Sequence, residues 1–262
     1  MLIDIGANLG HVSFSRDLHQ VIATAQDAGI AHIIVTGTDV ASVEHAQILC
    51  EQYPHYLSMT AGYHPHLAAS CNNGAFQQIR DFAALSQVVA VGETGLDFNR
   101  DYSPRDIQEK VFAEHLALAA DLQKPLFLHQ RDAHRRFYPI LKEHRDRLTG
   151  GVVHCFTDTR EALEDYLDLD MHIGVTGWVC DERRGLELQQ LLRYIPADRL
   201  LLETDAPYLL PRSLKPKPAT RRNEPRHLTE VLRKVADYSD RSMTAVAAQT
   251  TANALKLFDL AL

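Results

Sequence analysis

Short apolar runs recur along the whole chain, and amphipathic or polar stretches separate them. The runs are brief, many carry β-branched side chains, and most are bounded by glycine or proline. Uniformly apolar runs of this length are typical of parallel strands that are buried on both faces. The pattern therefore predicts eight strands, which are Leu2–Ile5, His32–Thr36, Leu57–Gly62, Val88–Gly92, Leu126–His129, Gly151–His154, His172–Val175 and Leu200–Glu203.

The stretches between the runs have the periodicity of amphipathic helices. The clearest is Gln108–Leu122, where apolar side chains recur on one helical face. Eight strands that alternate with helices predict a (β/α)8 TIM barrel, an α/β fold, built as a single domain over residues 1–262. Met243–Phe258 is predicted to be a helix added after the last unit. A doubly wound open sheet is the alternative architecture.

Length and composition fit this prediction. The chain has 262 residues, 45% of them hydrophobic, and a barrel of this kind typically needs about 250 residues. No apolar run is long enough for a membrane helix, and the segment Met1–Gly6 lacks the basic region of a signal peptide. The four cysteines form no CxxC pair. We therefore expect a cytoplasmic protein without a membrane partner, and we expect it to be a monomer.

The charge is unevenly distributed. The net charge is −7, which argues against a protein that coats nucleic acid. Residues 211–234, however, contain eight basic and two acidic residues, so this segment carries +6 and the remainder −13. A solvated loop and helix face is one interpretation of the segment, and a phosphate-binding surface is the other.

Metal-competent side chains follow five of the predicted strands, namely strands 3, 4, 5, 6 and 8. The C-terminal ends of parallel barrel strands meet at one mouth, where barrel active sites lie. Imidazole and carboxylate groups together suit a divalent cation that activates water. The side chains are His64, Glu93, Asp97, His129, Asp132, His154 and Asp205, with His66 expected to be a helix-start or loop residue.

Segments at these strand ends resemble signatures of the TatD-type deoxyribonuclease family, which has an amidohydrolase-like barrel. They occur in the family's order, and the likeness runs from Asp4 to the C-terminal helix. The resemblance implies a metal-dependent nuclease that hydrolyses phosphodiester bonds in DNA. It also implies that the metal ligands are Glu93, His129, His154 and Asp205. The segments are Val91–Phe98, Leu128–Ala133, His154–Thr157, Glu203–Tyr208 and Arg222–Pro225.

The segment after strand 1 departs from the wider family, which carries His-x-His there. Gly6 and Asn8 occupy those two positions. Gly6 offers no ligand and Asn8 only an amide oxygen, so we expect Mg²⁺ as the cofactor, with Mn²⁺ or Zn²⁺ as alternatives. If the strand has room for both rings, Gly6→His with Asn8→His is expected to raise the affinity for zinc. The sequence resembles the 3′→5′ exonuclease branch, which implies single-stranded DNA or RNA as the substrate and a setting in DNA degradation or repair.

The predicted roles follow from the chemistry of each group. Glu93 is expected to anchor or bridge metal, and Asp205 to bind metal and accept a proton from the attacking water, which makes both of them catalytic. His64 is expected to reach a second metal or a phosphate oxygen. Asp97 and Asp132 are expected to orient the ligands.

Substrate contacts are predicted around the same mouth. Residues 211–226 follow strand 8, so Arg221 and Arg222 are expected to grip phosphate, for which the arginine fork is well shaped. Trp178 follows strand 7 and is expected either to stack on an unpaired base or to be buried. Asn8 is expected to contact the substrate.

Two other function classes compete with phosphodiester hydrolysis. One is a small-molecule amidohydrolase that cleaves an ester, lactone or amide with the same metal site. The other is a non-enzymatic scaffold, which would have no reason to bring the predicted ligands together. The basic segment favours the nuclease, because a neutral small substrate has little need of it.

Overall fold

The strands form a single parallel sheet in which each strand pairs with the next one along the chain. The computed structural model describes residues Met1–Ala261, and Leu262, the last residue of the predicted domain, lies outside them. The sheet has eight strands in sequential order. They are β1 (Leu2–Ala7), β2 (Ile30–Val35), β3 (Leu57–Ala61), β4 (Val88–Asp97), β5 (Leu126–Arg131), β6 (Gly151–Val153), β7 (His172–Val175) and β8 (Leu200–Leu202).

A helix follows each strand, and a further helix follows the last unit. This arrangement confirms the predicted TIM barrel with an added C-terminal helix, and the sequential strand order excludes the doubly wound sheet. Within residues 1–261, no helix combines the length and the apolar character needed to cross a membrane. The helices are α1 (Leu18–Asp27), α2 (Val40–Gln52), α3 (Asn73–Ala83), α4 (Arg105–Leu122), α5 (His134–His144), α6 (Arg160–Asp168), α7 (Leu186–Leu191), α8 (Leu228–Ser239) and α9 (Met243–Leu257).

The barrel closes where β1 meets the chain just beyond β8. Ala7 and Ala206 form an isolated parallel bridge. Two backbone hydrogen bonds flank it: the amide of Asp205 donates to the carbonyl of Gly6 at 2.9 Å, and that of Asn8 donates to Ala206 at 2.7 Å. These contacts place the residues after β8 directly against those that end β1.

A buried carboxylate reinforces this closure. Asp4 is fully buried on β1, and its Oδ1 accepts the backbone N–H of Thr204 at 2.9 Å. The Thr204 hydroxyl donates to the other oxygen of Asp4 at 2.5 Å. Because buried backbone donors need partners, Asp4 takes over a role that a longer β1–β8 ladder would otherwise fill.

An apolar plug fills the barrel below the mouth. Inward-facing residues of the strands form a core cluster separate from the layer between the strands and the outer helices. Helix α9 covers the opposite end, where the hydroxyl of Thr251 donates to the Met1 carbonyl at 3.0 Å. The mouth is therefore the end available for chemistry. The cluster comprises Ile3, Ile5, Ile34, Ala90, Phe127, Val152 and Leu201 of the strands with Ala254 and Phe258.

Candidate metal centre

Glu93 is the centre of a cluster of three imidazoles. Its Oε1 lies 2.8 Å from His129 Nδ1, 2.8 Å from His154 Nε2 and 3.3 Å from His64 Nε2. Glu93 is 4% exposed, so these contacts are shielded from solvent. The structure thus brings together four residues that the sequence predicts as metal ligands.

A bulge in β4 directs Glu93 into the mouth. Gly92 pairs with Phe127 and Thr94 pairs with Leu128, so Glu93 is an extra residue with no partner on β5. Such a bulge re-aims the side chain that it carries. Glu93 therefore lies inside β4, and not after it as the sequence analysis expected, because the strand extends five residues further to Asp97.

Two glycines make this geometry possible. Gly92 and Gly95 have φ angles of 144° and 147°, which side-chain-bearing residues rarely adopt. A Cβ on Gly92 would lie 2.1 Å from the carbonyl oxygen of Phe127, and one on Gly95 would lie 1.9 Å from that of His129. The close approach of β4 to β5 on either side of Glu93 therefore depends on these two glycines.

The three histidines come from separate parts of the barrel. His129 lies within β5, and His154 directly follows β6 with its ring 4.7 Å from that of Phe127. His64 lies three residues beyond β3, where its amide donates to the carbonyl of Thr38 at 2.9 Å. Each imidazole is therefore held by the scaffold rather than by a free loop.

The electrostatics of the cluster favour a cation. Burial opposes ionisation of Glu93, but His154, His64 and His129 outweigh it and hold the pKa of Glu93 well below its usual value. Burial also opposes protonation of His154, yet the charges of Glu93 and Glu203 raise its pKa well above normal. The carboxylates thus stabilise positive charge at this point of the mouth.

The donor set fits a divalent metal. One ligand atom from each of His64, Glu93 and His129 can be chosen so that all three lie within 4.8 Å of one another. Two imidazole nitrogens and a carboxylate oxygen are ligands that zinc, manganese and related cations accept, and the carboxylate also suits magnesium. These three residues form the candidate metal site.

Asp205 lies beside the cluster and next to Asn8. The Nδ2 of Asn8 donates to Asp205 Oδ1 at 3.3 Å. Burial raises the pKa of Asp205 to about 8, with His154 opposing the rise and the charges of Glu93 and Glu203 adding to it. Asp205 therefore shares the electrostatic environment of the cluster. Among the side chains of residues 1–261, the one that donates a hydrogen bond to Asp205 is that of Asn8.

Glu203 is a further site residue to which the sequence analysis assigned no role. Its Oε2 lies 3.3 Å from His154 Nδ1, and its Oε1 accepts the Cys155 amide at 2.6 Å. Its side chain fills space next to Gly6 and Gly174, where a Cβ would come within 2.6 Å of its oxygens. The sequence does contain a signal for Glu203. Gly6 and Gly174 lie on β1 and β7, the strands on either side of β8, and Glu203 directly follows β8.

Asp97 links two histidines at the rim. Its Oδ2 lies 2.7 Å from His66 Nε2 and 3.3 Å from His129 Nε2. Asp97 is thus placed to orient His129, whereas Asp132 is exposed and accepts a hydrogen bond from Asn99 Nδ2 at 2.7 Å. His66 lies in the first turn of a 3-10 helix over Pro65–Ser70, which agrees with the expectation of a helix-start or loop residue.

The two adjacent arginines of the basic segment have different surroundings. Arg222 makes ion pairs with Asp17 at 2.7 Å and Glu224 at 2.8 Å, and its guanidinium lies 5.1 Å from the Phe14 ring centre. Arg221 is exposed and has no ion pair within the described residues. Arg222 therefore ties the segment to the start of α1, and Arg221 is the one open to solvent.

Internal ion pairs neutralise other charges of this segment. Arg212 pairs with Asp181, Arg226 with Glu224, and Arg233 with Glu230 and Asp237. In the part of the chain that the structure describes, the exposed cations of the segment without an ion pair are Lys215, Lys217 and Arg221. The segment therefore offers fewer unpaired cationic side chains to a polyanion than its formal charge indicates.

Trp178 is half-buried. It belongs to a 3-10 turn over Gly177–Cys180, packs against the outer core, and has the guanidinium of Arg184 5.1 Å from its ring centre. The expectation that the ring is buried is met in part, and its stacking on a base stays a prediction.

Comparison with known sequences gives one consistent result. The profile of the family described as "TatD related DNase" matches residues 3–259. A Pantoea protein named 3′-5′ ssDNA/RNA exonuclease TatD is 50% identical over 260 residues, which cover 99% of this chain and 100% of that one. The protein of the same name from Escherichia coli K12 is 48% identical, with the same coverage.

A solved structure agrees with the sequence matches. The TatD homologue YJJV from Escherichia coli K12 superposes with a TM-score of 0.90 at 28% identity, covering 99% of this chain and 98% of that one. The likeness therefore extends over the whole barrel and its added helix.

Proposed function

The chain belongs to the family of TatD-related DNases, and on that premise we propose that it is a 3′→5′ exonuclease acting on single-stranded DNA and RNA. The observation that carries the proposal is the convergence of His64, His129 and His154 on one carboxylate oxygen of Glu93 at the barrel mouth. Full-length relatives that carry this activity in their names support the substrate and the polarity.

The proposed cofactor is Mg²⁺. Glu93, His129 and His154 would hold it, with His64 and Asp205 completing the set. A bound divalent metal lowers the pKa of a water molecule and polarises a phosphoryl oxygen. Magnesium is favoured over zinc because Gly6 contributes no donor, Asn8 contributes only an amide, and hard cations tolerate oxygen ligands and retained water.

The protein's own residues position and move the proton. Asp205 is the proposed general base: a divalent cation bound beside it would lower its raised pKa, so that its carboxylate could accept a proton from the attacking water. The amide of Asn8 orients Asp205 through its hydrogen bond at 3.3 Å. Glu203 fixes the ring of His154 from the opposite side, as carboxylates beside ligand histidines generally do.

Phosphate binding is proposed for the exposed part of the basic segment. Arg221, together with Lys215 and Lys217, would contact the backbone of the nucleic acid, while Arg222 holds the segment in place. The exposed part of the Trp178 ring would stack on a base. We also propose that residues 1–262 act as one monomeric domain in the cytoplasm, where the four free cysteines would stay reduced.

The decisive assay uses end-labelled oligonucleotides with Mg²⁺, Mn²⁺ and Zn²⁺ in separate titrations. A single-stranded substrate labelled at its 5′ end should give a ladder that shortens from the 3′ end, and a blunt duplex should be degraded more slowly. Glu93→Gln should abolish hydrolysis while circular dichroism shows a folded protein. Neutral esters and lactones are assayed separately, as substrates of the alternative small-molecule hydrolase.

His134→Gln is the matched control for His129→Gln, since His134 is also a histidine near the end of β5 but pairs with Asp165 and Tyr166. It should retain activity, whereas His129→Gln should lose it. Hydrolysis of a lactone with no cleavage of any oligonucleotide would overturn the proposal in favour of a small-molecule hydrolase.

A further inference from the structure

Two exposed tyrosines stand at the barrel mouth. Tyr102 is 65% exposed in the loop between β4 and α4, and Tyr208 is 51% exposed in the segment after β8. Exposed aromatic rings beside a site that binds a single-stranded nucleic acid are suited to stack on its bases. The sequence analysis singled out neither of them.

Tyr102 is connected to the metal centre through a row of rings. Its ring meets that of His66 edge to face at 4.8 Å, and His66 meets His64 in the same way at 4.2 Å. The backbone beneath it is rigid: the hydroxyl of the buried Ser103 donates to the carbonyl of His66 at 2.9 Å and accepts the amide of Ala69 at 3.0 Å. The ring is therefore presented from a fixed base.

Tyr208 is connected to the other side of the centre. Its amide donates to the carbonyl of Asp205 at 2.9 Å, and its ring meets that of His11 edge to face at 5.8 Å. The backbone hydrogen bond therefore holds Tyr208 beside Asp205 at the mouth.

The two tyrosines lie on opposite sides of the mouth. In a sheet of eight strands in sequential order that closes between β1 and β8, β4 and β8 are half a barrel apart. Glu93 and the histidines around it lie between the two positions. A chain that touches both rings therefore crosses the metal centre.

We propose that Tyr102 and Tyr208 are stacking platforms for the bases that flank the scissile phosphate, and that they make the enzyme select single strands. This inference rests on the proposed nuclease function. Every base offers a π face, so stacking on tyrosine is independent of sequence. Paired bases in a duplex have their faces covered by neighbours, so a duplex cannot use these platforms without unstacking.

The tyrosines are better placed for this role than Trp178. The tryptophan is half-buried and one guanidinium already lies close to its ring, whereas both tyrosines are more than half exposed. A flat ring on a rigid support also binds a base with little loss of side-chain entropy.

The test compares binding of an oligothymidylate with binding of an abasic oligomer of the same length, measured by fluorescence anisotropy. Phosphorothioate linkages and EDTA prevent cleavage during the measurement. The proteins compared are the wild type, Tyr102→Ala, Tyr208→Ala, the corresponding Tyr→Phe variants, and Tyr194→Ala. Tyr194 is a matched control because it is 43% exposed but lies before β8, under the guanidinium of Arg160.

The wild type should prefer the base-bearing oligomer. Each Tyr→Ala change should weaken binding of that oligomer roughly tenfold and leave binding of the abasic oligomer unchanged. The phenylalanine variants and Tyr194→Ala should keep the preference. Equal binding of the two oligomers by the wild type, or an intact preference in both Tyr→Ala variants, would overturn the inference.

A separate measurement distinguishes this inference from the proposed function. Hydrolysis of the natural oligonucleotide by the wild type, with Mg²⁺, tests the nuclease proposal alone. If the wild type hydrolyses the oligonucleotide but binds the base-bearing and abasic oligomers equally, the stacking proposal is overturned and the nuclease proposal stands. If the wild type prefers the base-bearing oligomer but does not hydrolyse the oligonucleotide, the binding role of the tyrosines stands and the nuclease proposal is overturned.

Discussion

Glu203 occupies the space that a side chain on Gly6 would need. A Cβ on Gly6 would lie 2.6 Å from Glu203 Oε2 and 2.9 Å from Phe127 Cζ. The prediction that Gly6→His with Asn8→His raises the affinity for zinc required room for both rings, and position 6 has no such room unless Glu203 and Phe127 move. Gly6 has no side chain on β1, and the carboxylate of Glu203, directly after β8, fills the space that this leaves.

Gly6→Ala should destabilise the protein and impair metal binding. The added methyl group must displace Glu203 or the Phe127 ring, and overpacking of this kind costs about 1–3 kcal/mol of unfolding free energy. Displaced Glu203 would no longer fix His154. Urea unfolding and calorimetric titration with Mn²⁺ measure the two effects.

Gly74→Ala is the control for that change. Gly74 lies in the first turn of α3, where a Cβ would come no closer than 3.3 Å to Asn72 Oδ1. The stability of the Gly74→Ala protein should be equal to or above that of the wild type. A Gly6→Ala protein with unchanged stability and unchanged metal affinity would contradict the packing argument.

Asp4 should make stability depend on pH. Burial raises the pKa of Asp4 to about 7, against the hydrogen bonds from Thr204 and Gly6 that lower it. The folded state then binds a proton that the unfolded state releases near pH 4, so the contribution of Asp4 to stability falls as pH rises from about 4 to 7. Asn at this position imitates the protonated acid and removes the dependence.

We therefore expect Asp4→Asn to gain stability relative to the wild type as the pH is raised from 5 to 8, by on the order of a few kcal/mol. Urea unfolding of both proteins with EDTA at the two pH values measures this difference. Histidines of the metal centre titrate in both proteins, so their contribution cancels. A constant difference between the two proteins across this range would show that Asp4 ionises normally.

The pattern of short apolar runs was enough to predict the barrel. Each predicted run overlaps an observed strand, and His172–Val175 matches β7 at both ends. The largest difference is β4, which continues through Glu93 to Asp97. Polar residues and glycines there resemble a loop, and only their pairing with β5, from Thr94 with Leu128 to Asp97 with Arg131, shows that they form a strand.

The site was predictable where metal-competent residues recur at several strand ends and where the segments that carry them resemble the family's signatures. His129, His154 and Glu93 belong to this class. Glu203 and the different surroundings of Arg221 and Arg222 were not predictable, because they depend on contacts between segments up to about two hundred residues apart, such as Arg222 with Asp17. A local pattern contains no information about such pairs.

Metal removal should be reversible and should change stability. A ligand that binds only the folded state stabilises it by about 2.7 kcal/mol at a hundredfold excess over its dissociation constant. EDTA should therefore lower the melting temperature and abolish activity, and Mg²⁺ should restore both. Glu93→Gln should show a much smaller thermal shift with Mg²⁺. Two zinc ions that remain bound after EDTA treatment would contradict the proposed magnesium centre.

The adjacent residues Arg221 and Arg222 should respond differently to substitution. Arg222→Ala loses ion pairs with Asp17 and Glu224 and the contact with Phe14, so we expect a loss of about 1 kcal/mol of unfolding free energy. Arg221→Ala should leave stability unchanged. It should instead weaken binding of single-stranded DNA, because the exposed guanidinium would no longer displace a counterion from the phosphate backbone.

The salt dependence of binding separates these roles. Each phosphate contact of a single strand contributes about −0.7 to the slope of log K against log salt concentration, so Arg221→Ala should make the slope less negative by about that amount. Lys256→Ala is the control, since Lys256 is exposed on α9, at the end of the barrel away from the mouth. An unchanged slope in Arg221→Ala would assign Arg221 to the solvated surface, and Lys215 and Lys217 would then be the remaining exposed cations of the segment to which phosphate binding could be assigned.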